Sequence, residues 1–352
     1  MKYRTYPGTD VTVSAVGFGM WTLSTGWWGD KTDAEAVSML HKARDLGVTF
    51  YDAADTYGNG RSEELLAKAF GDSRDKVVYA TKFGYDFYNH SERRRGQQEI
   101  PQDWSPKFAR FALEQSLKRL CTDTIDVWQL HNARMSTIRD DSLWRFLEDV
   151  VREGKVRVVG VALGPAIGWL YEGVEACKQR KVKSLQVIYN LLEQHPGAEQ
   201  IEAGRECETG FLIRVPHSSG MLEGKYTKDT VFPEGDHRRH RPRSWLINGV
   251  KKVETLDFLL QGGRRTLGQA ALQWLLAEPL VMSCLPNIYD DAQLEEFAAA
   301  CETPELTAEE LAKVAALWKT NFGVEEPPMA FKGTMEPGQT PPGLPQEEMA
   351  TR

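Results

Sequence analysis

The sequence has few features of a secreted, membrane-embedded or disulfide-stabilised protein. Its five cysteines are scattered, their number is odd and no two form a C-x-x-C pair, which argues against a disulfide framework and a zinc site. No stretch approaches the run of about 18 apolar residues that spans a membrane, and the N-terminus lacks the apolar core of a signal peptide. We therefore expect reduced thiols and a soluble, cytoplasmic protein.

The chain also lacks an excess of positive charge. Its formal net charge is −7, so nucleic acid is not an expected partner. One basic cluster lies at residues 237–243. Such a cluster is typical of a solvated surface loop, but its arginines also suit an anionic cofactor or substrate, and both interpretations stay open. No G-x-G-x-x-G segment opens a helix after the first predicted strand, so the Rossmann dinucleotide fingerprint is missing.

What the sequence does contain is a regular alternation of strand patterns and helical patterns. Alternation of this kind predicts a parallel sheet with helical crossovers, and eight such units predict an α/β fold of the closed (β/α)8 TIM barrel type. An open doubly wound sheet is the alternative. Two short strands around a Pro-Gly turn predict an N-terminal β-hairpin. We expect one domain over residues 1–324, long loops on the C-terminal face at 84–103 and 223–243, and a flexible Pro/Gly-rich tail over 325–352.

The hydrophobic pattern places each element along the chain. The barrel strands are predicted at residues 16–21, 48–51, 77–81, 125–130, 156–162, 184–189, 211–215 and 281–285. The connection between the last two strands differs from the others because its pattern predicts one long helical region over residues 245–277.

Polar side chains follow three consecutive predicted strands. The second, third and fourth barrel strands end at Asp52, Lys82 and His131, and Tyr57 follows Asp52 in a turn-rich loop. The carboxyl ends of parallel barrel strands lie on one face, so we expect these four side chains to converge. Any one of them could be an ordinary strand-terminal polar group, but four in succession predict a functional site.

These motifs resemble those of the aldo-keto reductases. That family has D-T-A-x-x-Y-G after one strand, T-K at the end of the next and L-H at the end of the third. Here the three read DAADTYG at residues 52–58, TK at 81–82 and LHN at 130–132. The resemblance covers residues 13–321 and implies a (β/α)8 barrel enzyme, an NAD(P)H-dependent oxidoreductase that acts on CH–OH and C=O groups.

The resemblance also implies a role for each of the four residues. Tyr57 would act as the general acid or base that gives a proton to the substrate oxygen. The ammonium of Lys82 would stabilise the phenolate of Tyr57, and Asp52 would pair with Lys82 and hold it in place. His131 would orient the substrate oxygen or share in proton delivery.

Cofactor contacts are implied at several strand ends and in the loops after the seventh and eighth barrel strands. The implied residues are Gly19, Met20, Trp21, Asp52, Ala162, Gln186, Arg214, Pro216, Ser218, Gly220, Leu222, Lys225, Pro286, Asn287, Ile288, Tyr289, Gln293 and Glu296.

The chain departs from the family pattern at two of these places. Ala162 and Leu163 replace the usual Ser and Asn near the nicotinamide carboxamide. In the segment that resembles the adenosine-phosphate site, Tyr289 and Asp290 stand where basic or hydroxyl residues are usual. A carboxylate repels a 2′-phosphate but suits a ribose 2′-hydroxyl. The resemblance to the family makes NADP the first expectation for the cofactor, and these departures make NAD the alternative.

The substrate is expected to be a small-molecule carbonyl or alcohol, such as an aldehyde, a ketone or a sugar-like compound. The implied contacts are Trp21, Tyr57, Phe83, His131 and Asn132. Further aromatic residues near these positions form either a substrate wall or rim packing: Trp27, Trp28, Tyr85 and Phe87. The sequence leaves open whether the protein forms a homo-oligomer.

Two other functions are compatible with parts of the sequence. A non-catalytic or weakly catalytic regulatory subunit on the same fold would explain Ala162 and Leu163, but the intact set of four residues argues against it. A metal-dependent lyase barrel would need several carboxylates or histidines at strand ends. Only Asp52 and His131 qualify, and Lys82 between them would repel a cation, so no metal is expected.

Overall fold

Eight parallel strands form one sheet that curves into a barrel. A computed structural model describes residues 1–26, 29–90, 99–164, 169–234 and 236–327. The strands are β1 Tyr3–Thr5, β2 Thr12–Ser14, β3 Phe18–Gly19, β4 Phe50–Asp52, β5 Val78–Phe83, β6 Ile125–His131, β7 Val156–Ala162, β8 Ser184–Ile188, β9 Gly210–Arg214 and β10 Val281–Leu285. Strands β3 to β10 pair in chain order, and a parallel bridge between Val16 and Cys284 joins the two edges. The predicted (β/α)8 barrel is confirmed.

Helices connect the barrel strands. They are α1 Trp21–Ser24, α2 Asp33–Asp45, α3 Arg61–Phe70, α4 Pro106–Leu120, α5 Met135–Ile138, α6 Asp141–Arg152, α7 Leu170–Lys178, α8 Gly197–Arg205, α9 Arg243–Glu254, α10 Leu267–Leu276, α11 Asp291–Ala298 and α12 Ala308–Lys319. Short 3-10 segments add Gly71–Lys76, Met221–Glu223, His237–His240, Asp257–Gly263, Ala299–Glu302 and Asn321–Gly323. Capping boxes explain several helix starts, as at Thr32 with Glu35 before α2.

The predicted N-terminal hairpin is present as the antiparallel pair β1 and β2. Its residues Tyr6, Val11 and Val13 join the apolar cluster that fills the lower part of the barrel. The guanidinium of Arg4 donates to the carbonyl of Glu278, just before β10, at 2.8 Å. Because β10 begins there, the hairpin covers the amino-terminal end of the barrel, opposite the strand ends that carry the predicted site.

The barrel interior is apolar below and polar above. The apolar layer contains Phe50 of β4, Ala80 of β5 and Val127 of β6. Side chains alternate between the two faces of a strand, so the residues two positions further on also point inward: Asp52, Lys82 and Gln129. All three are buried. Because side chains alternate along the strands, a layer of charged and polar side chains lies directly above the apolar layer, at the carboxyl end of the barrel.

Two predicted elements differ from the observed ones. The strand predicted at residues 16–21 is only Phe18–Gly19 long, because Met20 takes a helical conformation and α1 begins at Trp21. The helical region predicted at 245–277 is broken into α9, a 3-10 segment and α10. Gln261 and Gly262 have φ values of 47° and 65°, and this left-handed backbone cannot continue an α-helix.

The C-terminal tail was expected to begin at Glu325. Glu326, however, accepts hydrogen bonds from Asn248 at 3.1 Å and from Asn321 at 3.1 Å, and also pairs with Lys252. The ordered packing against α9 thus continues at least to Glu326. The rest of the predicted tail, from residue 328, lies outside the described residues.

Candidate active site

The four residues predicted to converge lie together at the carboxyl end of the barrel. The Lys82 ammonium is 2.6 Å from Oδ2 of Asp52 and 5.0 Å from the centre of the Tyr57 ring. The His131 ring meets the Tyr57 ring edge-on at 5.7 Å between centroids. Asp52 and His131 are buried, whereas Tyr57 is half-buried. Tyr57 is therefore the member of the group that faces the open side of the barrel.

Asp52 is the centre of a hydrogen-bond network within the barrel. Its Oδ2 accepts from Lys82, and its Oδ1 accepts from the side-chain amides of Gln129 at 3.0 Å and Gln186 at 3.1 Å. Lys82 makes a second bond, to the carbonyl of Ala53, at 2.7 Å. Because both carboxylate oxygens and the ammonium have partners, this buried charge pair meets the condition under which such pairs are tolerated.

Gln129 takes part in this network although the sequence did not single it out. It lies within β6, two residues before His131, and it is fully buried. The only available signal was its period-two relation to the apolar Val127, which makes it point into the barrel. Gln186, in contrast, was predicted as a cofactor contact. Its amide nitrogen is directed at Asp52 here.

The substrate side of the site combines aromatic rings and amides. Trp21 stacks near Tyr57 at 6.3 Å between centroids, and Tyr85 meets His131 edge-on at 5.1 Å. Asn132 donates from Nδ2 to the hydroxyl of Tyr85 at 2.7 Å. Four of the expected substrate contacts, Trp21, Tyr57, His131 and Asn132, are therefore close to one another.

Phe83 needs a correction. The structure places it in the core, with no exposed surface. Its ring stacks on Trp128 at 3.9 Å and meets Trp104 edge-on at 5.7 Å, because the residue at the end of β5 turns outward toward the helices. Phe83 therefore packs within the core, which agrees with the interpretation of these aromatic residues as rim packing and not as a substrate wall. Trp27 and Trp28 lie outside the described residues.

A second cluster of buried charges lies beside the tyrosine loop. Asp55 and Glu63 are both fully buried. Glu63 accepts from the hydroxyl of Thr81 at 2.6 Å and from Nε of Arg119 at 2.6 Å. Burial, and next the nearby Glu63 charge, raise the pKa of Asp55 well above its ordinary value. The charges of Asp55 and Glu63 therefore interact with each other beside the chain segments that carry Tyr57 and Lys82.

The residues implied as nicotinamide contacts lie around the barrel mouth. Ala162 pairs in register with His131 on one side and Gln186 on the other. Arg214, half-buried at the end of β9, donates to the carbonyl of Leu163 at 3.3 Å. A Cβ added to Gly19 would meet nothing within 4 Å. Open space therefore lies beside Gly19, at the end of β3, where a planar ring could approach the backbone.

The loop after β9 has an unusual backbone. Val215, Ser218 and Ser219 have φ values of 55°, 47° and 57°, followed by Gly220 at 90°. Left-handed backbone is costly for a β-branched residue such as Val215, and such conformations cluster at ligand sites. The implied contacts in this loop are placed as follows: Pro216, Ser218, Gly220 and Leu222 are buried and Lys225 is exposed.

The loop after β10 lies beside it. Gln293 donates from Nε2 to Glu223 at 3.0 Å and accepts from the backbone N–H of Tyr289 at 3.1 Å. The other implied contacts of this loop are Pro286 and Ile288, which are buried, and Asn287 and Glu296, which are partly exposed. The bent loop after β9 and the polar barrel mouth fit a dinucleotide. The second loop and α11, which follows it, carry the carboxylates of Asp290 and Glu296.

Within the described ranges, no group of three His, Cys, Asp or Glu side chains could hold a metal ion. No helix in that part of the chain is long and apolar enough to cross a membrane.

The fold and the four clustered residues define a (β/α)8 oxidoreductase with a tyrosine, lysine, aspartate and histidine at the carboxyl end of its barrel. A model of the Aldo/keto reductase family matches residues 15–319, and the chain belongs to that family. It is therefore an NAD(P)H-dependent oxidoreductase that acts on carbonyl or alcohol groups.

Individual relatives agree with this assignment. The aldo-keto reductase yakc of Schizosaccharomyces pombe, whose name specifies NADP(+), is 30% identical over 319 residues, which cover 84% of this chain and 90% of the relative. The holo form of aldo-keto reductase AKR11C1 from Bacillus halodurans has a TM-score of 0.72 at 26% identity and covers 90% of this chain and 96% of its own. Glycerol dehydrogenase AKR11B4 from Gluconobacter oxydans has a TM-score of 0.78 at 25% identity and covers 94% of this chain and 99% of its own.

Proposed function

We propose that this protein reduces a carbonyl carbon with hydride from a nicotinamide dinucleotide and that Tyr57 supplies the proton. In the reduction, the hydride forms the new C–H bond, the carbonyl π electrons move to oxygen, and the tyrosine proton completes the alcohol. The bound dinucleotide supplies only the hydride. The observation that carries the proposal is the position of the half-buried Tyr57 ring 5.0 Å above the Lys82 ammonium.

Each of the other site residues has a defined part in this proposal. The Lys82 ammonium stabilises the negative charge left on the Tyr57 oxygen, and Asp52 keeps the ammonium in place through its 2.6 Å contact. His131 faces the edge of the Tyr57 ring and orients the substrate oxygen. A positioned general acid of this kind contributes about a hundred- to ten-thousand-fold in rate.

The cofactor and the substrate follow from different observations. The resemblance to the family and the name of the yeast relative favour NADP(H), but the charges at the adenosine end favour NAD(H). The name of the Gluconobacter relative makes glycerol and glyceraldehyde the first compounds to test, beside simple aldehydes. The relatives' names lend no support to the regulatory-subunit alternative.

The test is direct transfer of a labelled hydride. The purified protein is incubated with C4-deuterated NADH or NADPH and a panel of aldehydes, ketones and sugar-like carbonyls, and the alcohol products are analysed by mass spectrometry. We expect one deuterium on the carbinol carbon and an equal amount of oxidised dinucleotide. Binding of the dinucleotide without transfer to any carbonyl would favour the regulatory alternative and overturn the proposal.

A further inference from the structure

The loops after β9 and β10 meet at the rim of the barrel through Gln293. Its side chain joins Glu223 in the first loop to Tyr289 in the second, at 3.0 and 3.1 Å. These are the loops after the seventh and eighth barrel strands, where (β/α)8 barrels usually hold a ligand phosphate. A dinucleotide whose nicotinamide reaches Tyr57, as the proposed function requires, extends its adenosine half toward this rim.

The helix that begins at this rim has its N-terminus already capped by a carboxylate. Oδ1 of Asp290 accepts the backbone N–H of Gln293 at 2.8 Å at the start of α11. A free helix N-terminus would favour a phosphate, but here a side-chain carboxylate takes that place. Within the part of the chain that the structure describes, no lysine or arginine forms an ion pair with Asp290, so its charge is not neutralised by a salt bridge.

Three of the cations near this rim, Lys42, Arg238 and Lys225, are paired with carboxylates. Lys42 contacts Asp291 at 2.8 Å and Glu295 at 2.7 Å. Arg238, which lies in the basic cluster at residues 237–243, pairs with Asp236 at 2.5 Å and also donates to the hydroxyl of Tyr226. Lys225 is 3.6 Å from Glu223. A phosphate that entered here would have to compete with carboxylates for each of these cations.

Glu223 combines burial with an available acceptor atom. Its side chain is only 6% exposed, and burial is the main cause that raises its pKa above the ordinary value. Oε2 accepts from Gln293, whereas Oε1 has no hydrogen bond to any described residue. An acceptor of this type suits a hydroxyl donor and disfavours a phosphate.

We propose that this rim selects the ribose 2′-hydroxyl over a 2′-phosphate, so that the protein prefers NAD(H), with Glu223 and Asp290 as the discriminating residues. This inference rests on the proposed function, because it presumes that a dinucleotide occupies the barrel mouth. The physical cause is charge. A 2′-phosphate adds negative charge beside two carboxylates, whereas a ribose hydroxyl donates a hydrogen bond to one of them.

Arg241 does not alter this choice. Its Nη2 is 3.3 Å from the hydroxyl of Ser219, which lies in the bent part of the loop after β9. We assign an anion bound there to the pyrophosphate, which both dinucleotides carry. On this assignment, replacement of Arg241 by Gln weakens NADH and NADPH binding by the same factor, and a selective loss of NADPH binding would overturn the inference.

The test measures dissociation constants without any substrate. NADH and NADPH are titrated into the wild-type protein by tryptophan fluorescence, at low and at high ionic strength. We expect NADH to bind at least about tenfold more tightly, which corresponds to roughly 1.4 kcal/mol. The ratio should shrink as salt is added, because screening weakens a repulsion. Equal affinities, tighter NADPH binding or a ratio that grows with salt would overturn the inference. Failure of both dinucleotides to bind would instead overturn the proposed function.

Variants identify the residues responsible. Asp290→Ser removes the carboxylate but keeps a residue type that caps helices well, and Glu223→Gln keeps the shape of the side chain. Each should lower the ratio of the NADPH to the NADH dissociation constant by about threefold or more. The matched control is Asp123→Asn, which lies between α4 and β6 on the opposite end of the barrel and should leave the ratio unchanged.

One variant addresses the opposite explanation. If Arg238 instead binds a 2′-phosphate, Arg238→Gln will weaken NADPH binding far more than NADH binding, and the inference will be wrong. If the carboxylates decide, Arg238→Gln will leave the ratio of the NADPH to the NADH dissociation constant unchanged. Melting temperatures of all variants, taken without ligand, separate altered recognition from loss of fold.

Discussion

The ammonium of Lys82 lies 2.6 Å from Oδ2 of Asp52, and the Lys82 side chain has no exposed surface. A lysine placed so deep has no water to solvate it, so its charge depends on this carboxylate and on the carbonyl of Ala53. The same pair supports the Tyr57 ring from below. Stability and chemistry therefore depend on one contact, and the two effects can be measured separately.

Lys82→Met should destabilise the protein and abolish carbonyl reduction. Removing one partner of a buried ion pair typically costs about 3–5 kcal/mol. The free energy of unfolding is measured in urea for the single variant and for the double variant with Asp52→Leu. We expect the double variant to recover part of the loss, because its buried carboxylate is gone as well. An unchanged midpoint in the single variant would contradict the importance of the pair.

Tyr57→Phe should abolish turnover and leave the dinucleotide dissociation constant nearly unchanged. Only the phenolic proton is removed, and the ring still stacks near Trp21. We expect kcat to fall by about a hundredfold or more, the usual contribution of a general acid. Single-turnover kinetics check this. A variant that keeps more than about a tenth of the wild-type rate constant for the chemical step would rule out proton donation by Tyr57.

The buried Asp55 predicts a pH dependence of stability. Its folded-state pKa is raised, chiefly by burial and next by Glu63, so the folded protein holds a proton that the unfolded chain has released. The unfolding free energy should therefore fall as the pH rises above about 4, by up to about 1.4 kcal/mol per pH unit from this group, until the folded pKa is passed.

Asp55→Asn should remove this slope. Urea unfolding of the wild type and the variant is compared at several pH values between about 5 and 8. We expect the variant to gain stability relative to the wild type as the pH increases. Parallel curves for the two proteins would show that Asp55 ionises normally in the folded state.

Gln129→Leu should weaken the site without unfolding the barrel. The substitution keeps a similar volume but removes the amide that donates to Asp52 at 3.0 Å. Loss of a hydrogen bond to a buried charge costs about 1.5–3 kcal/mol. Gln179→Leu, at an exposed position after α7, is the control for the substitution itself. If both variants have the same unfolding free energy, the Gln129 amide does not support Asp52.

Some elements could be predicted to the residue and others could not. β7 and β10 match their predicted bounds because a strand covered on both faces reads as a continuous apolar run. The break between α9 and α10 was missed because Leu256, Leu259 and Leu260 keep helical spacing. The pair Gly262-Gly263 was the available sign of a helix break, but the regular spacing of the leucines outweighed it in the prediction.

Some residues of the site could likewise be predicted from the sequence and others could not. Asp52, Lys82 and His131 could be found because they end strands, and their convergence follows from the parallel barrel. Gln129 lies inside a strand, and Asp55 and Glu63 meet only through tertiary packing, so no local pattern marks them. Phe83 was misplaced because the residue after Lys82 points to the opposite face of β5.

The bonds of Asp52 also bear on how the protein folds. One carboxylate at the end of β4 receives donors from β5, β6 and β8, and the most distant of these donors lies 134 residues from Asp52 along the chain. Contacts so distant in sequence form late and only when the intervening segments are already in place. A half-barrel fragment would therefore contain Asp52 without the partners that hold it. Competence for catalysis should appear in the same cooperative step as closure of the barrel, and not before it.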